Sequence, residues 1–255
     1  FGIFAQNTIT LTPSIDLESG LRADYVNEFG WALLPRFSAL FKISNKLSSR
    51  VGAGFGYKAP DMFTEDAEAL HFRMIHPINF SSTLLERSWG VNADINYKTV
   101  LFDEVNLSLN NLIYYTRLTH PLVLDSDTPG NPTFMTADGH IDTKGLETNL
   151  RLGYEPFTLF FGYTYTDTRK HFDDEKTFMP LTAKHRVNMV LMFEMDEKWK
   201  LGAEAYYFGS QYLNDGTKGK PYWITGFMAE RLWEKISLYI NFENYTDTRQ
   251  TKFGP

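Results

Sequence analysis

Ile236-Ser-Leu-Tyr-Ile-Asn-Phe-Glu243 alternates without a break. Ile236, Leu238, Ile240 and Phe242 fall on one side of an extended chain, and Ser237, Tyr239, Asn241 and Glu243 on the other. Successive side chains of a strand point to opposite faces, so this run reads as a strand with one oily and one wet face. The same period recurs upstream. Val91, Ala93, Ile95 and Tyr97 oppose Asn92, Asp94, Asn96 and Lys98. Ile15, Leu17, Leu21 and Ala23 oppose Asp16, Glu18, Arg22 and Asp24, and Leu146, Leu150 and Leu152 oppose Glu147, Asn149 and Arg151. The 221–233 run is less regular, and its faces are not assigned by pattern.

Extended outward, this period predicts twelve strands, at 1–11, 15–24, 34–44, 47–58, 86–101, 106–119, 140–154, 157–169, 184–195, 198–212, 221–233 and 236–247. Most exceed the ~5–6 residues of a typical soluble strand and meet the ~9–11 that a tilted membrane strand needs. Helical periodicity is nearly absent; 61–70 is expected to form one short surface helix capped by Asp61. Tight connections are expected at Thr12-Pro13-Ser14, Asn45-Lys46, Asp103-Glu104, Glu155-Pro156, Asp196-Glu197 and Glu234-Lys235. Long ones are expected at 25–33, 59–85, 120–139, 170–183 and 213–220. Long and short alternate, as they do in an outer-membrane barrel with short periplasmic turns and long outer loops.

Composition agrees. Aromatic residues are 16% of the 255, with 21 Phe, 14 Tyr and 5 Trp, while mean hydropathy is −0.31. No run reaches the ~18 apolar residues of a membrane helix. Aromatic wealth without an apolar helix fits a transmembrane β-barrel, whose apolar residues are diluted by alternation. A net charge of −6 argues against a general nucleic-acid binder, and the lack of cysteine removes disulfides and thiolate chemistry. Period two also fits a soluble β-sandwich; strand length, loop asymmetry and aromatic density favour the membrane. With tight turns in the periplasm, both chain ends fall on the long-loop side, so the chain is expected to be consecutive strands of a larger barrel.

At this point a family is recognisable. "FAQNTITLTPSIDLESGLRADY" (4–25) resembles the "FAQ … GLRYDY" hairpin of TonB-dependent outer-membrane receptors. Residues 33–60 look like their next hairpin, and Tyr57-Lys58-Ala59-Pro60 is similar to the "FRAP" box. "LLERSWGVNADINYK" (84–98) resembles the "LKPE.S" strand, and "ISLYINFENYTDTRQ" (236–250) the near-terminal strand ending "EN..D.RQ". The boxes occur in family order over almost the whole chain, in wording closest to receptors of Bacteroidetes type. The resemblance implies an all-β, up-and-down barrel of about 22 strands, plugged by an N-terminal domain. The plug and the final strand are expected to lie outside this chain, whose last strand is read as the penultimate one. It implies no cofactor, lipid of the bacterial outer membrane as surroundings, the TonB complex as a partner through the plug, and a large solute such as a metal chelate as cargo.

The polar faces are expected to line the lumen through Asp16, Glu18, Arg22, Asp24, Arg36, Arg50, Lys58, Asp94, Lys98, Glu147, Arg151, Glu204 and Glu243. Lipid-facing charge is costly, about 2–4 kcal/mol for a cation at midplane. Ligand capture is expected on outer loops, with His71, Arg73, His76, His140, His171, Tyr212, Tyr222 and Trp223 as candidates, beside Phe134 and Phe172. Haem receptors of the family carry a histidine after the "FRAP" box, where His71 and His76 stand, but the following "NPNL" box reads Ser82-Thr-Leu-Leu-Glu-Arg-Ser88 here. Asp173-Asp174-Glu175 reads as a solvated acidic run, and Asp125, Asp127 and Asp138 are too scattered for a calcium loop. No metal ligands are assigned. GAGFG at 52–56 lies within a strand and serves close packing. With no GxSxG, HExxH or Walker loop, an enzyme is not expected. Import of a ferric siderophore is the leading reading; haem or cobalamin uptake, or a soluble or surface-bound β-rich binding module, are the alternatives.

Overall fold

The computed structural model describes residues 1–64, 67–68, 70–73, 75–125, 132–195 and 198–249. In chain order the strands are β1 (Gly2–Thr12), β2 (Ile15–Val26), β3 (Gly30–Lys42), β4 (Leu47–Lys58), β5 (Glu86–Leu101), β6 (Val105–Thr119), β7 (Leu122–Asp125) and β8 (Thr133–Thr136). Then follow β9 (Gly139–Tyr154), β10 (Phe157–Phe172), β11 (Glu175–Phe178), β12 (His185–Met195), β13 (Trp199–Phe208), β14 (Tyr222–Leu232) and β15 (Ser237–Phe242). The long strands form one antiparallel sheet in the order β1-β2-β3-β4-β5-β6-β9-β10-β12-β13-β14-β15, with β11 attached to β10. These are the twelve runs read from the alternation. Neighbours in sequence are neighbours in space, the topology of an up-and-down barrel wall.

Local chemistry sets the tight ends. Phe102 and Asp103 both take positive φ (53° and 62°), and Glu104 N donates to Leu101 O, closing a tight turn within the three-residue connection between the paired Leu101 and Val105. Ser44 Oγ accepts from Leu47 N at 3.1 Å and fixes the β3–β4 turn. The expected turn at Asp196-Glu197 lies outside the described residues.

Three expectations need correction. The connection at 25–33 is short: Phe29 N donates to Val26 O, and β3 begins at Gly30 (φ 77°). Its apolar stretch Trp31-Ala-Leu-Leu34 is strand rather than loop, because Trp31 and Leu33 face one side and Ala32 and Leu34 the other. The long segments 120–139 and 170–183 hold structure of their own, the β7–β8 hairpin and β11. Asp61 does not cap the helical turn at 67–68: its carboxylate accepts from Phe63 N, and Thr64 Oγ1 accepts from Ala67 N at 3.2 Å.

Register assigns the faces. Leu238, Ile240 and Phe242 pair with Arg231, Ala229 and Phe227, which continue into Trp199, Leu201 and Ala203 on β13. The unassigned 221–233 run therefore splits, with Trp223, Thr225, Phe227, Ala229 and Arg231 on the oily face and Tyr222, Ile224, Gly226, Met228 and Glu230 on the other. No second sheet covers the oily face among the described residues. Leu238, Ile240 and Phe242 are 60%, 52% and 55% exposed, in company with Ile3, Leu33, Val51 and Leu191. A soluble sandwich would bury these side chains; a face this large and apolar is one that lipid covers. All five tryptophans lie near its edges: Trp31, Trp89 and Trp223 toward the long-loop end, Trp199 and Trp233 toward the turns. Two aromatic belts bounding an apolar band are the mark of the two membrane interfaces. Arg231, an apparent charge among lipid, sits in the turn-side belt with its guanidinium 4.7 Å from the Trp199 ring and 5.7 Å from Trp233.

Candidate ligand site at the mouth of the concave face

Every lumen candidate within the strands falls on the polar face. Cross-strand pairs run Arg22 to Leu34, Glu18 to Ser38 and Arg36 to Gly54 on β4, then Arg50 to Asp94 and Lys58 to Glu86 on β5. Lys98 pairs with Ser108, Glu147 with Thr164, Arg151 with Phe160, and Glu204 with Gly226. A recess of about 1450 Å³ opens on this face at the turn end, lined by Lys98, Asn106, Ser108, Arg151, Thr158 and Glu194 among others. Five strands share one hollow only where the sheet bends around it, so the polar face is the concave one.

The charges on it are largely satisfied by neighbours. Lys42 Nζ lies 2.7 Å from Asp16, Arg22 bonds Asp24 at 2.8 Å, and Arg36 pairs with Glu18. Asn96 donates to Asp94, Tyr206 to Glu204 and Asn241 to Glu243. Lys58 reaches Asp61 at 3.5 Å. The solvent-exposed ion pairs among these contribute about 0–1 kcal/mol each, so they order the wall more than they stabilise it. The pairing of β3 with β4 stops at Arg36–Gly54, and above that point Tyr57 Oη reaches Asp24 at 3.0 Å.

Above the wall the loops pack on one another. Leu84 N donates to Thr136 Oγ1, Leu122 N to the Glu86 carboxylate, Ala137 N to Pro121 O and His76 N to Pro132 O. Ala67, Leu85, Pro121, Phe134 and Ala137 are buried there. The described residues of 59–85 and the β7–β8 hairpin are thus one joined body. His71, Arg73 and His76 stand exposed on it. Phe134 is part of its core rather than a ligand platform. Asp173 and Asp174 form the positive-φ turn between β10 and β11. Asp125 ends β7, Asp138 precedes β9, and Asp127 lies outside the described residues.

The remaining candidates divide by face. Tyr222 is on the concave side, stacked on Phe208 with ring centres 5.0 Å apart. Both line a 280 Å³ recess with Thr166, Leu181, Ala183, Arg186 and Gln211. Tyr212 stacks on Phe178 at 4.4 Å and accepts from Leu181 N, tying the loop after β13 to β11. Trp223 is corrected: it faces away from Tyr222, packs on Tyr207 at 5.1 Å, and belongs to the outer aromatic belt. His140 and His171 are also corrected. They are strand residues, paired in register on the convex face with Leu150 and Phe161 below them, so they do not open on the concave side. Sequence reading missed Arg186, whose signal was the alternation of Arg186 and Asn188 with Val187 and Met189.

An antiparallel wall with an oily convex face, a wet concave face and aromatic belts at both ends defines an outer-membrane β-barrel. The family model "TonB dependent receptor-like, beta-barrel" matches residues 1–244, and the chain belongs to that family. It is a chain of the bacterial outer membrane, in a family of transporters rather than enzymes. No curated protein sequence matches it. The siderophore receptor PirA of Pseudomonas aeruginosa has a TM-score of 0.72 at 17% identity, over 97% of this chain and 45% of that one. A mutant ferric enterobactin receptor PfeA of Pseudomonas aeruginosa, in complex with enterobactin, gives 0.73 at 17% over 97% and 40%. The FrpB iron transporter of Neisseria meningitidis gives 0.71 at 14% over 97% and 41%. These likenesses are of fold, and the chain spans less than half the length of the structures it matches.

Proposed function

We propose that this chain is the barrel part of a receptor that captures a ferric siderophore at the outer surface and admits it to the periplasm. The energy would come from the TonB complex acting through a plug domain held inside the barrel. The observation that carries the reading is the recess at the loop end of the concave face. There a cation, Arg186, stands beside the stacked rings of Phe208 and Tyr222, with Gln211 and Thr166 as polar neighbours. A ferric complex of aromatic, anionic chelating groups needs this combination: a positive charge for its net charge, ring faces for its chelating arms, and a wet entrance. The solved structures with the same fold are described as siderophore receptors, a ferric enterobactin receptor and an iron transporter, which favours this cargo over cobalamin. Haem remains the second reading, supported by His71 and His76 on the joined outer loops, since imidazole is a competent iron ligand.

The capture step involves no covalent chemistry. Paired charges on the concave wall would hold plug and water in place while the outer loops bind. The test uses the full-length receptor and a panel of ferric siderophores with haem and cobalamin beside them. Arg186→Ala and Phe208→Ala are each expected to weaken capture of one ferric catecholate at least tenfold while leaving the assembled barrel intact. Unchanged binding of every ferric siderophore by both variants would overturn the assignment, and loss confined to haem in His71→Ala or His76→Ala would establish the second reading instead.

A further inference from the structure

Outside the concave site, one cluster of side chains has the composition and spacing of a metal centre. His140 and His171 are direct cross-strand partners on β9 and β10, with rings 4.5 Å apart and only 12° from parallel. Asp142, two residues along β9, lies on the same face between them. Its Oδ2 is 3.5 Å from His140 Nε2 and 3.6 Å from His171 Nε2, and all three donor atoms fall within 4.8 Å of one another. For metal–ligand bonds of about 2.05 Å, neighbouring donors of a tetrahedral site stand about 3.3 Å apart. The two nitrogen–oxygen spacings are within a few tenths of an ångström of that edge. We propose that His140, Asp142 and His171 bind one divalent transition-metal ion of the zinc class on the outward face, with its fourth position open to water.

Several features support this. The ligands sit on paired strands rather than on a loop, so their spacing is held by ladder hydrogen bonds from Gly139–Phe172 onward. The stacked rings bring both Nε2 atoms to the same carboxylate oxygen, 3.5 and 3.6 Å away. The carboxylate is already oriented: Arg117 Nε and Tyr115 Oη donate to its Oδ1 at 2.8 Å each, and Arg117 Nη2 to Oδ2 at 3.1 Å. That leaves the second lone pair of Oδ2 for the ion, and makes Arg117 and Tyr115 the outer partners that fix a ligating carboxylate. Two imidazoles with one carboxylate favour zinc, cobalt or nickel over magnesium or calcium. The site lies beyond the oily band, because Leu146 to Leu152 and Leu159 to Tyr165 occupy the lower part of the same face. It is on the opposite side of the wall from Arg186 and Tyr222, so it is separate from the cargo recess. A bound ion there would clamp β9 to β10 where the β10–β11 hairpin leaves the sheet.

The test uses untagged full-length receptor in detergent micelles, stripped with a chelator. Zn²⁺ is titrated by calorimetry, and Co²⁺ by its visible absorption, which is intense for a tetrahedral centre. One ion per chain is expected, with tetrahedral cobalt bands. His140→Ala and His171→Ala are each expected to abolish the bands and weaken Zn²⁺ at least tenfold. Tyr115→Phe should weaken it about tenfold, and His120→Asn should change nothing. Every variant is checked for the heat-dependent gel shift of an assembled barrel. Unchanged Zn²⁺ affinity in the His140→Ala/His171→Ala double variant, or no tetrahedral cobalt signal in the parent protein, would overturn the proposal whatever the cargo.

Discussion

Tyr114 crosses over Gly145, and its Oη meets Thr166 Oγ1 3.1 Å away on the far strand. Three strands, β6, β9 and β10, are thereby linked by one side chain on the concave face. A Cβ at position 145 would lie 2.5 Å from the Tyr114 ring and 2.6 Å from the Tyr165 carbonyl oxygen. The second contact is with backbone, which cannot swing aside. Gly145→Val is expected to destabilise the barrel by about 1–3 kcal/mol through overpacking. Tyr114→Phe, which loses only the hydroxyl contact, should cost about 1 kcal/mol. Urea-unfolding midpoints of the refolded receptor in detergent measure both, and equal effects from the two would contradict the packing argument.

The facing assignment has a sharp test in β15. Ile240 lies on the lipid side and its neighbour Asn241 on the concave side, where it donates to Glu243 at 2.9 Å. Ile240→Asp places a carboxylate in the apolar band, at a cost on the order of 2 kcal/mol that falls on insertion as well as stability. Asn241→Asp should be tolerated. The fraction of receptor recovered in the outer membrane in its heat-shiftable form should fall for the first variant only.

The joined outer loops depend on Phe134, which is 6% exposed. Phe134→Ala should loosen the contact between the β7–β8 hairpin and residues 59–85 without unfolding the wall. Hydrogen exchange at the amides of His76 and Leu84, which bond Pro132 and Thr136, should speed up at least tenfold. Amides of β5 and β6 midway down the sheet should not change. Uniform acceleration would mean that this core supports the barrel itself.

Asp215 orders the loop after β13. Its Oδ1 accepts from the Thr217 hydroxyl at 2.7 Å and the Thr217 amide at 2.9 Å, and these bonds hold its carboxyl below the usual aspartate range. A depressed carboxylate stabilises above the unfolded pKa of about 3.9, and the effect is lost as pH falls through the lower folded value. The Tyr212–Lys218 bridge should therefore open only in strong acid, and Asp215→Asn should remove that pH dependence. Amide exchange at Thr217, followed from pH 6 to 2, reads it out; a transition near pH 6.5 would point to a histidine instead.

Much of the wall was legible because its signal is local. In β5, β9 and β15 the alternation is clean, and the structure carries each run as one strand. At Gly30–Leu34 four apolar residues in a row hide the period, so the pattern there predicts loop where the structure has strand. In β14, Trp223 and Phe227 alternate with Ile224 and Met228, so both faces look oily until cross-strand partners assign them. The short strands β7, β8 and β11 exist because neighbouring loops pack on them, which no window of sequence contains.

The residue order already carried an alternating, aromatic-rich membrane wall, since a two-residue period follows from the pleat of each strand alone, and its ordered boxes carried the likeness to TonB-dependent receptors. Which side chains meet was set by the assembled sheet. Register brought Arg186 beside Phe208 and Tyr222, turned Trp223 away to the lipid edge, and set His140 against His171. Those pairings join residues up to dozens of positions apart, and they depend on how strands align, a property that no single strand possesses.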